Sequence, residues 1–248
     1  MSQHPNLPRA PIVEALVDFR VEADPALSVE DLKKLQDALG SDAYPDAQAQ
    51  KQVRATFQPE SESEPVSVTG RDHLGFIFRS ADQLHVVQAQ RGGFTFSRLT
   101  PYVDWDQLIS AARDAWEKYV DLAKPRRVTR IAVRTINRIE IPLPAGDLRE
   151  WIKVVPDLPS ALPQTVSEMF VRLVVPVPAD RAMVIVTNAL QPAQLGADRL
   201  QAILDIDVFR DAEFLVTDDL WAALQPMRRL KNDFFFGCIT PRTLELFG

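Results

Sequence analysis

Cysteine is almost absent. The single Cys238 cannot close a disulfide within the chain, so the sequence does not rely on an oxidising compartment. Glycine is scarce, 9 of 248 residues, against an average usage of about 7%. That weakens any reading built on a glycine-rich phosphate cradle, and the sequence holds no Walker loop and no Gly-x-Gly-x-x-Gly. There is no Gly-x-Ser-x-Gly elbow for nucleophilic hydrolysis. The 3 histidines, His4, His73 and His85, are scattered and, with one cysteine, lack zinc-ligand spacing. His85 lies among Leu84, Val86 and Val87 and reads as a packed or surface strand histidine, since no oriented partner for general-base work accompanies it. Long apolar runs are missing too. Residues 171–177 and 183–186 fall far short of the roughly 20 that a membrane helix needs. The opening Met1-Ser2-Gln3-His4-Pro5 lacks the basic and apolar segments of a signal peptide. The expectation is a soluble cytoplasmic protein with no membrane contact and no cofactor.

What is present is ordinary globular material: 46% hydrophobic and 25% charged residues, with a net charge of -6. This composition excludes a wholly disordered chain, a coiled coil and a collagen-like chain. The length suits one large domain or two small ones. The acidic balance argues against non-specific nucleic-acid binding, which draws on clustered positive charge.

Along the chain, residues 11–22 alternate with period two and read as a half-buried strand. Ser28, with Asp31 as a capping-box partner, opens a helix carrying Val29, Leu32, Leu35 and Leu39, with Gly40 as its stop. Short strands are expected over 52–58, 74–80, 84–90 and 94–99, with a hairpin turn at Arg91-Gly92-Gly93. Residues 59–65, Pro-Glu-Ser-Glu-Ser-Glu-Pro, read as an acidic loop. Asp104 caps the clearest helix, which holds Trp105, Leu108, Ala112, Trp116 and Tyr119 and ends at Lys124-Pro125.

The pattern then restarts. A long strand is expected over 128–141 and a short helix from Asp147 holding Leu148, Trp151, Ile152 and Val155. Strands follow over 166–177, 182–190 and 202–209. A last helix is capped by Thr217 and carries Leu220, Trp221, Leu224, Met227 and Leu230, with a kink or break at Pro226. The tail over 234–239 is apolar, and 240–247 ends in a turn of helix. The caps Ser28 and Asp147 stand at an offset close to that of Asp104 and Thr217, which suggests an internal duplication, with halves 1–124 and 125–248 packed as one unit. The expected fold is α+β: a curved, mainly antiparallel sheet of duplicated strand-helix-strands-helix units, with helices on one side. The TATA-binding-protein plan is the nearest architectural analogy, and a fold does not license a function.

Two constellations could carry chemistry. Arg130, Arg134 and Arg138 recur every fourth residue on one strand face, roughly 13 Å apart at about 3.3 Å per residue. They could form an anion-binding stripe for phosphate, nucleic acid or an acidic partner. Glu14, Asp18 and Glu22 show the same spacing in the first half, so internal charge pairing across adjacent strands is the favoured reading. Asp205 and Asp207, two apart on a strand, share a face and could hold Mg²⁺ or Ca²⁺. A solvated strand face alternating with Leu204, Ile206 and Val208 is the favoured alternative. Phe94, Phe96, Tyr102, Trp105 and Trp116, and Phe234, Phe235 and Phe236, could stack bases only if exposed beside basic residues. Their spacing suits a core.

Ala10-Pro11-Ile12-Val13-Glu14-Ala15, Phe96-Ser97-Arg98-Leu99, Pro101-Tyr102, Trp105, Arg134, Ile136-Asn137-Arg138-Ile139, Leu204-Asp205-Ile206-Asp207, Lys231-Asn232, Phe235 and Ile239-Thr240 occur in this order across nearly the whole chain. Together they resemble an uncharacterised, sporadically distributed bacterial family of roughly this length and unknown function. Thr135 departs from the aromatic residue expected there. The resemblance implies no catalytic residues. Sporadic distribution implies an accessory gene, of the defence or antitoxin kind. The expected function is therefore a non-enzymatic interaction protein with a protein partner at its sheet. The alternatives are a nucleic-acid or nucleotide binder using the arginine row, and an enzyme with a carboxylate site at Asp205 and Asp207.

Overall fold

A computed structural model describes residues 4–5, 7–57, 66–192, 196–216 and 219–248, with 52–57 and 66–72 described at the level of backbone alone. The first half contains β1 (Ile12–Glu22), a 3-10 segment (Glu30–Lys34) leading into α1 (Leu35–Leu39), β2 (Asp46–Phe57), β3 (Val66–Arg79), β4 (His85–Gln90), β5 (Gly93–Leu99) and α2 (Trp105–Ala123). The second contains β6 (Arg127–Pro142), a 3-10 turn (Leu148–Glu150), β7 (Met169–Val177), β8 (Ala182–Leu190), β9 (Arg199–Phe214), α3 (Leu220–Cys238) and α4 (Pro241–Leu244). The nine strands form a single sheet in the order β2-β3-β4-β5-β1-β6-β9-β8-β7. Every pairing in it is antiparallel. The α+β architecture with an antiparallel sheet is thus what the sequence builds.

The strand alternation decides which face is covered. Val17 and Phe19 on β1, Ile131, Val133, Ile139 and Ile141 on β6, and Leu204, Ile206 and Val208 on β9 belong to one continuous core with the inner faces of α2 and α3. Within that core Phe19 and Phe94 meet Trp116 edge-on, and Tyr119 stacks beside Trp116. Most of the aromatics therefore pack as the core reading expects. Leu16, Val86 and Ala132 sit on the opposite strand face; they are buried but outside that core.

Local signals place the helices. Asp104 caps α2, accepting from the Gln107 amide at 2.8 Å. Lys124, left-handed at φ 45, ends it before Pro125. Ser28 and Asp31 exchange the two hydrogen bonds of a capping box. The first half of the helix they open is 3-10, however, and only its last five residues are α-helical before Gly40 at φ 94.

Several boundaries differ from expectation. The helix expected from Asp147 is one 3-10 turn, because Ile152 leaves to bridge Ile239 and Pro156, Pro159 and Pro163 bar any continuation. Strand β7 starts at Met169 rather than near 166, and β9 extends to Phe214. Asp219 caps α3, accepting from the Ala222 amide, while Thr217 lies outside the described residues. So does the acidic loop over 59–65. The helix α3 runs unbroken through Pro226 and takes in the apolar tail as far as Cys238. Buried Leu224 and Met227 flank Pro226 and hold the helix against the sheet on both sides of the missing hydrogen bond.

The two halves meet at the β1–β6 pair. Outward from that seam, one side runs β1-β5-β4-β3 and the other β6-β9-β8-β7, each innermost strand followed by the later strands of its half in reverse.

Candidate interaction surface

Strand register assembles the second face from rows that cross the sheet. One row reads Val86, Ser97, Leu16, Arg134, Asp207, Ile185, Val174. The next reads Gln88, Thr95, Asp18, Ala132, Phe209, Met183, Pro176. Charge is concentrated at the centre of the sheet, on β1, β6 and β9. Apolar side chains dominate on β8 and β7.

The central charges are paired. Arg130 donates to Asp18 at 3.0 Å and to Asp207 at 3.4 Å, and its guanidinium lies 4.3 Å from the Phe209 ring centre. Asp18 also accepts from the Thr95 hydroxyl at 2.7 Å. Arg134 grips Asp205 with two parallel hydrogen bonds of 2.8 and 2.6 Å, the bidentate fork that a planar guanidinium makes on a carboxylate. Those bonds push the Arg134 pKa upward, beyond what its burial takes away. Burial pushes the Asp207 carboxyl upward, and Arg130 and Arg134 only partly offset this.

The pairing that the sequence suggests is therefore present in kind and different in detail. Asp18 does meet Arg130. Glu22 meets Arg127 at 2.5 Å rather than a member of the arginine row. Arg134 turns from Glu14 on β1 to Asp205 on β9, because β6 lies between the two acidic strands and has a choice of carboxylates. Arg138 is exposed and carries no side-chain partner among the described residues. Asp205 and Asp207 serve arginines, and no cluster of three metal-ligating side chains occurs among the described residues. His85 is half-buried, and Arg98 lies 3.0 Å from its Nε2; burial first, then the Arg98 charge, pushes its pKa down.

The apolar end of the sheet is the feature that the sequence reading passed over. β7 is an edge strand, paired with β8 on one side only. Its outer side shows no backbone hydrogen bond among the described residues. Phe170 is 70% exposed, Val174 47% and Leu173 44%. Phe170 and Val174 share the uncovered face with Arg172, which has no ion pair among the described residues. A signal was available. Pro176 lies inside the strand, and proline within a sheet is confined to edges and bulges.

Among the described residues no helix is long and apolar enough to cross a membrane. The chain matches no known family model and no curated protein.

Proposed function

We propose that the chain is a non-enzymatic interaction protein, and that its partner is another protein whose extended segment adds to β7. The carrying observation is the open edge itself. The nine-residue strand β7 has an outer side with no backbone hydrogen bond among the described residues, and it carries exposed Phe170, Leu173 and Val174. Arg172 and Pro176 guard part of the edge, and the exposed apolar side chains between and beside them suit a strand that accepts another. Charge defines the partner further. Arg172 stands between Phe170 and Val174 on the same face, so it suits a segment reading apolar–x–acidic–x–apolar. A second copy of the chain suits it poorly. Antiparallel self-pairing about Leu173 would set two Arg172 side chains diagonally on one face.

The alternatives are less well supported. A nucleic-acid or nucleotide site would need Arg130 and Arg134, and both already hold carboxylates. An enzyme built on Asp205 and Asp207 would first have to displace those arginines. The family resemblance agrees with a bacterial, cytoplasmic accessory protein of the defence or antitoxin kind. The mirrored order of strands around β1 and β6 supports reading the halves as an internal duplication.

The test is chemical cross-linking of the tagged protein in its own host, with mass-spectrometric mapping. Cross-links from a stoichiometric partner should fall on β7 and its flanks. The variant Phe170→Lys/Val174→Lys should keep the wild-type circular dichroism and lose that partner. Retention of the partner by this variant, or cross-links confined to other surfaces, would overturn the proposal. A dimer in light scattering that the same variant abolishes would show a second copy as the occupant instead.

A further inference from the structure

On the covered side of the sheet, α3 carries an apolar stripe of Leu220, Leu224, Met227, Phe235 and Cys238. The spacing demands one more apolar residue between Met227 and Phe235, and the chain places Lys231 there. Lys231 is 8% exposed and has no hydrogen bond or ion pair among the described residues. Facing it, β6 interrupts its own apolar row with Thr135 and Asn137, both buried. A strand and a helix of the second half thus give up apolar residues at the same place. Between them lies a cavity of about 160 Å³. The lead into α2 and, from the N-terminal segment, Pro5, Leu7 and Ala10 to Ile12 line its remaining walls.

The walls are rich in donors. Arg228, one turn before Lys231, borders the cavity with its guanidinium 5.2 Å from the Trp105 ring centre. Trp105 also lines the cavity, and its Nε1–H is buried without a partner among the described residues. The Asn137 side-chain amide donates to the Leu204 carbonyl at 2.9 Å and, more weakly, to the Thr135 carbonyl at 3.4 Å. Among the described residues the one carboxylate in the wall, Asp104, is occupied as the cap of α2 and makes no ion pair with either cation. A buried ammonium without a counter-charge is costly, and proteins keep such groups where something else supplies the charge.

We propose that this cavity binds a small organic anion, a monocarboxylate with a compact apolar body, its carboxylate at Lys231 and Arg228 and its body against Trp105 and Phe235. Size supports the class. A dry cavity of about 150 Å³ takes one benzene ring, whereas drug-sized ligands need about 300 Å³ or more. A nucleotide does not fit, and a cation would meet two like charges. Apolar burial supplies affinity, and the charge-assisted hydrogen bonds supply selection for the carboxylate. This site lies on the helix side of the sheet and is independent of β7, so either assignment can fail alone.

Four wall residues titrate: Arg228 and Lys231 on α3, and Tyr102 and Asp104 on the lead into α2. Among the described residues the β6 and N-terminal walls add none. Burial holds the Tyr102 hydroxyl neutral, pushed up to about 12, and holds the Lys231 ammonium down to about 8. Carboxylate affinity should therefore be high at neutral pH and fall as pH rises through about 8.

Benzoate is the probe, with benzamide as its uncharged counterpart, measured by calorimetry and thermal shift on the full chain. Benzoate should bind and raise the melting temperature, and benzamide should bind at least tenfold more weakly. Lys231→Met should weaken benzoate at least tenfold while raising the melting temperature of the unliganded protein, since it removes a lone buried charge. Should that variant not fold, Arg228→Met and the pH profile of the wild type carry the test. No benzoate binding at millimolar concentration would overturn the proposal. So would equal binding of benzamide, or unchanged affinity in Lys231→Met with no fall above about pH 8.

Discussion

Asp18 sits at the centre of the sheet's charged rows, and replacing it by alanine tests whether those pairs hold the fold. The carboxylate is 7% exposed and accepts from the Arg130 guanidinium at 3.0 Å and the Thr95 hydroxyl at 2.7 Å. Breaking a buried pair by removing one partner costs about 3–5 kcal/mol, because the other charge stays behind. Here Arg130 keeps Asp207 at 3.4 Å and the Phe209 ring, which places Asp18→Ala at the lower end, about 3 kcal/mol. For a chain of this length that is a fall in melting temperature of about 6–12 °C. Urea unfolding of Asp18→Ala, Arg130→Met and the double variant closes a thermodynamic cycle. The double variant should be more stable than the sum of the singles by about 1–2 kcal/mol, since Asp18 and Arg130 then leave together and neither faces the other's empty place. A loss below about 0.5 kcal/mol for Asp18→Ala, the size of an ordinary surface change, would refute this reasoning. Strict additivity in the cycle would refute it equally.

Three further outcomes follow from single contacts. Burial holds the Asp207 carboxyl above its ordinary 3.8, so the folded chain binds that proton more tightly than the unfolded chain does. The stability this contributes is complete below about pH 4 and lost as pH rises through the raised value; Asp207→Asn should then match or exceed wild type in urea unfolding at pH 7, and a clear loss there would count against it. A methyl group on Gly75 would lie 2.0 Å from the Ala89 carbonyl oxygen, a backbone atom of the neighbouring strand. Gly75→Ala should cost about 3 kcal/mol or more, with faster amide exchange in β4; near-wild-type stability would show that β3 and β4 can part. Tyr119 is fully buried and donates to the Gln90 carbonyl at 2.8 Å, so Tyr119→Phe should lose about 1–2 kcal/mol in thermal unfolding.

Local order was legible wherever one segment carried its own signal. The alternation over 11–22, the Asp104 cap and the long strand over 128–141 each state a period or a terminus within a dozen residues. What the sequence could not show was neighbourhood. Arg134 has Glu14 and Asp205 as equally plausible carboxylates until β9 is known to lie on the far side of β6. Propensity likewise could not separate a helix from a 3-10 turn at Asp147, where a tertiary bridge from Ile152 to Ile239 decides. Two signals were present and unread. Pro176 marks an edge strand. Lys231 breaks the α3 stripe at a position where Leu230, also buried, can be counted as its apolar member instead. Polar Thr135 and Asn137 in the core-facing row of β6 gave the matching hint, some ninety residues before Lys231.

The seam between β1 and β6 has a consequence for the order in which the chain is made. β1 leaves the ribosome first, yet its second neighbour begins only at Arg127. Until then a nascent first half must hold β1 as a bare margin, with Asp18 awaiting Arg130 and an apolar strand awaiting cover. Among the described residues the finished sheet keeps its margins at its two ends, β2 and β7. Translation therefore passes through an intermediate with an open edge where the mature protein has none. Chaperone demand, and any toxicity of truncated products, should be greatest for chains that stop between α2 and the end of β6.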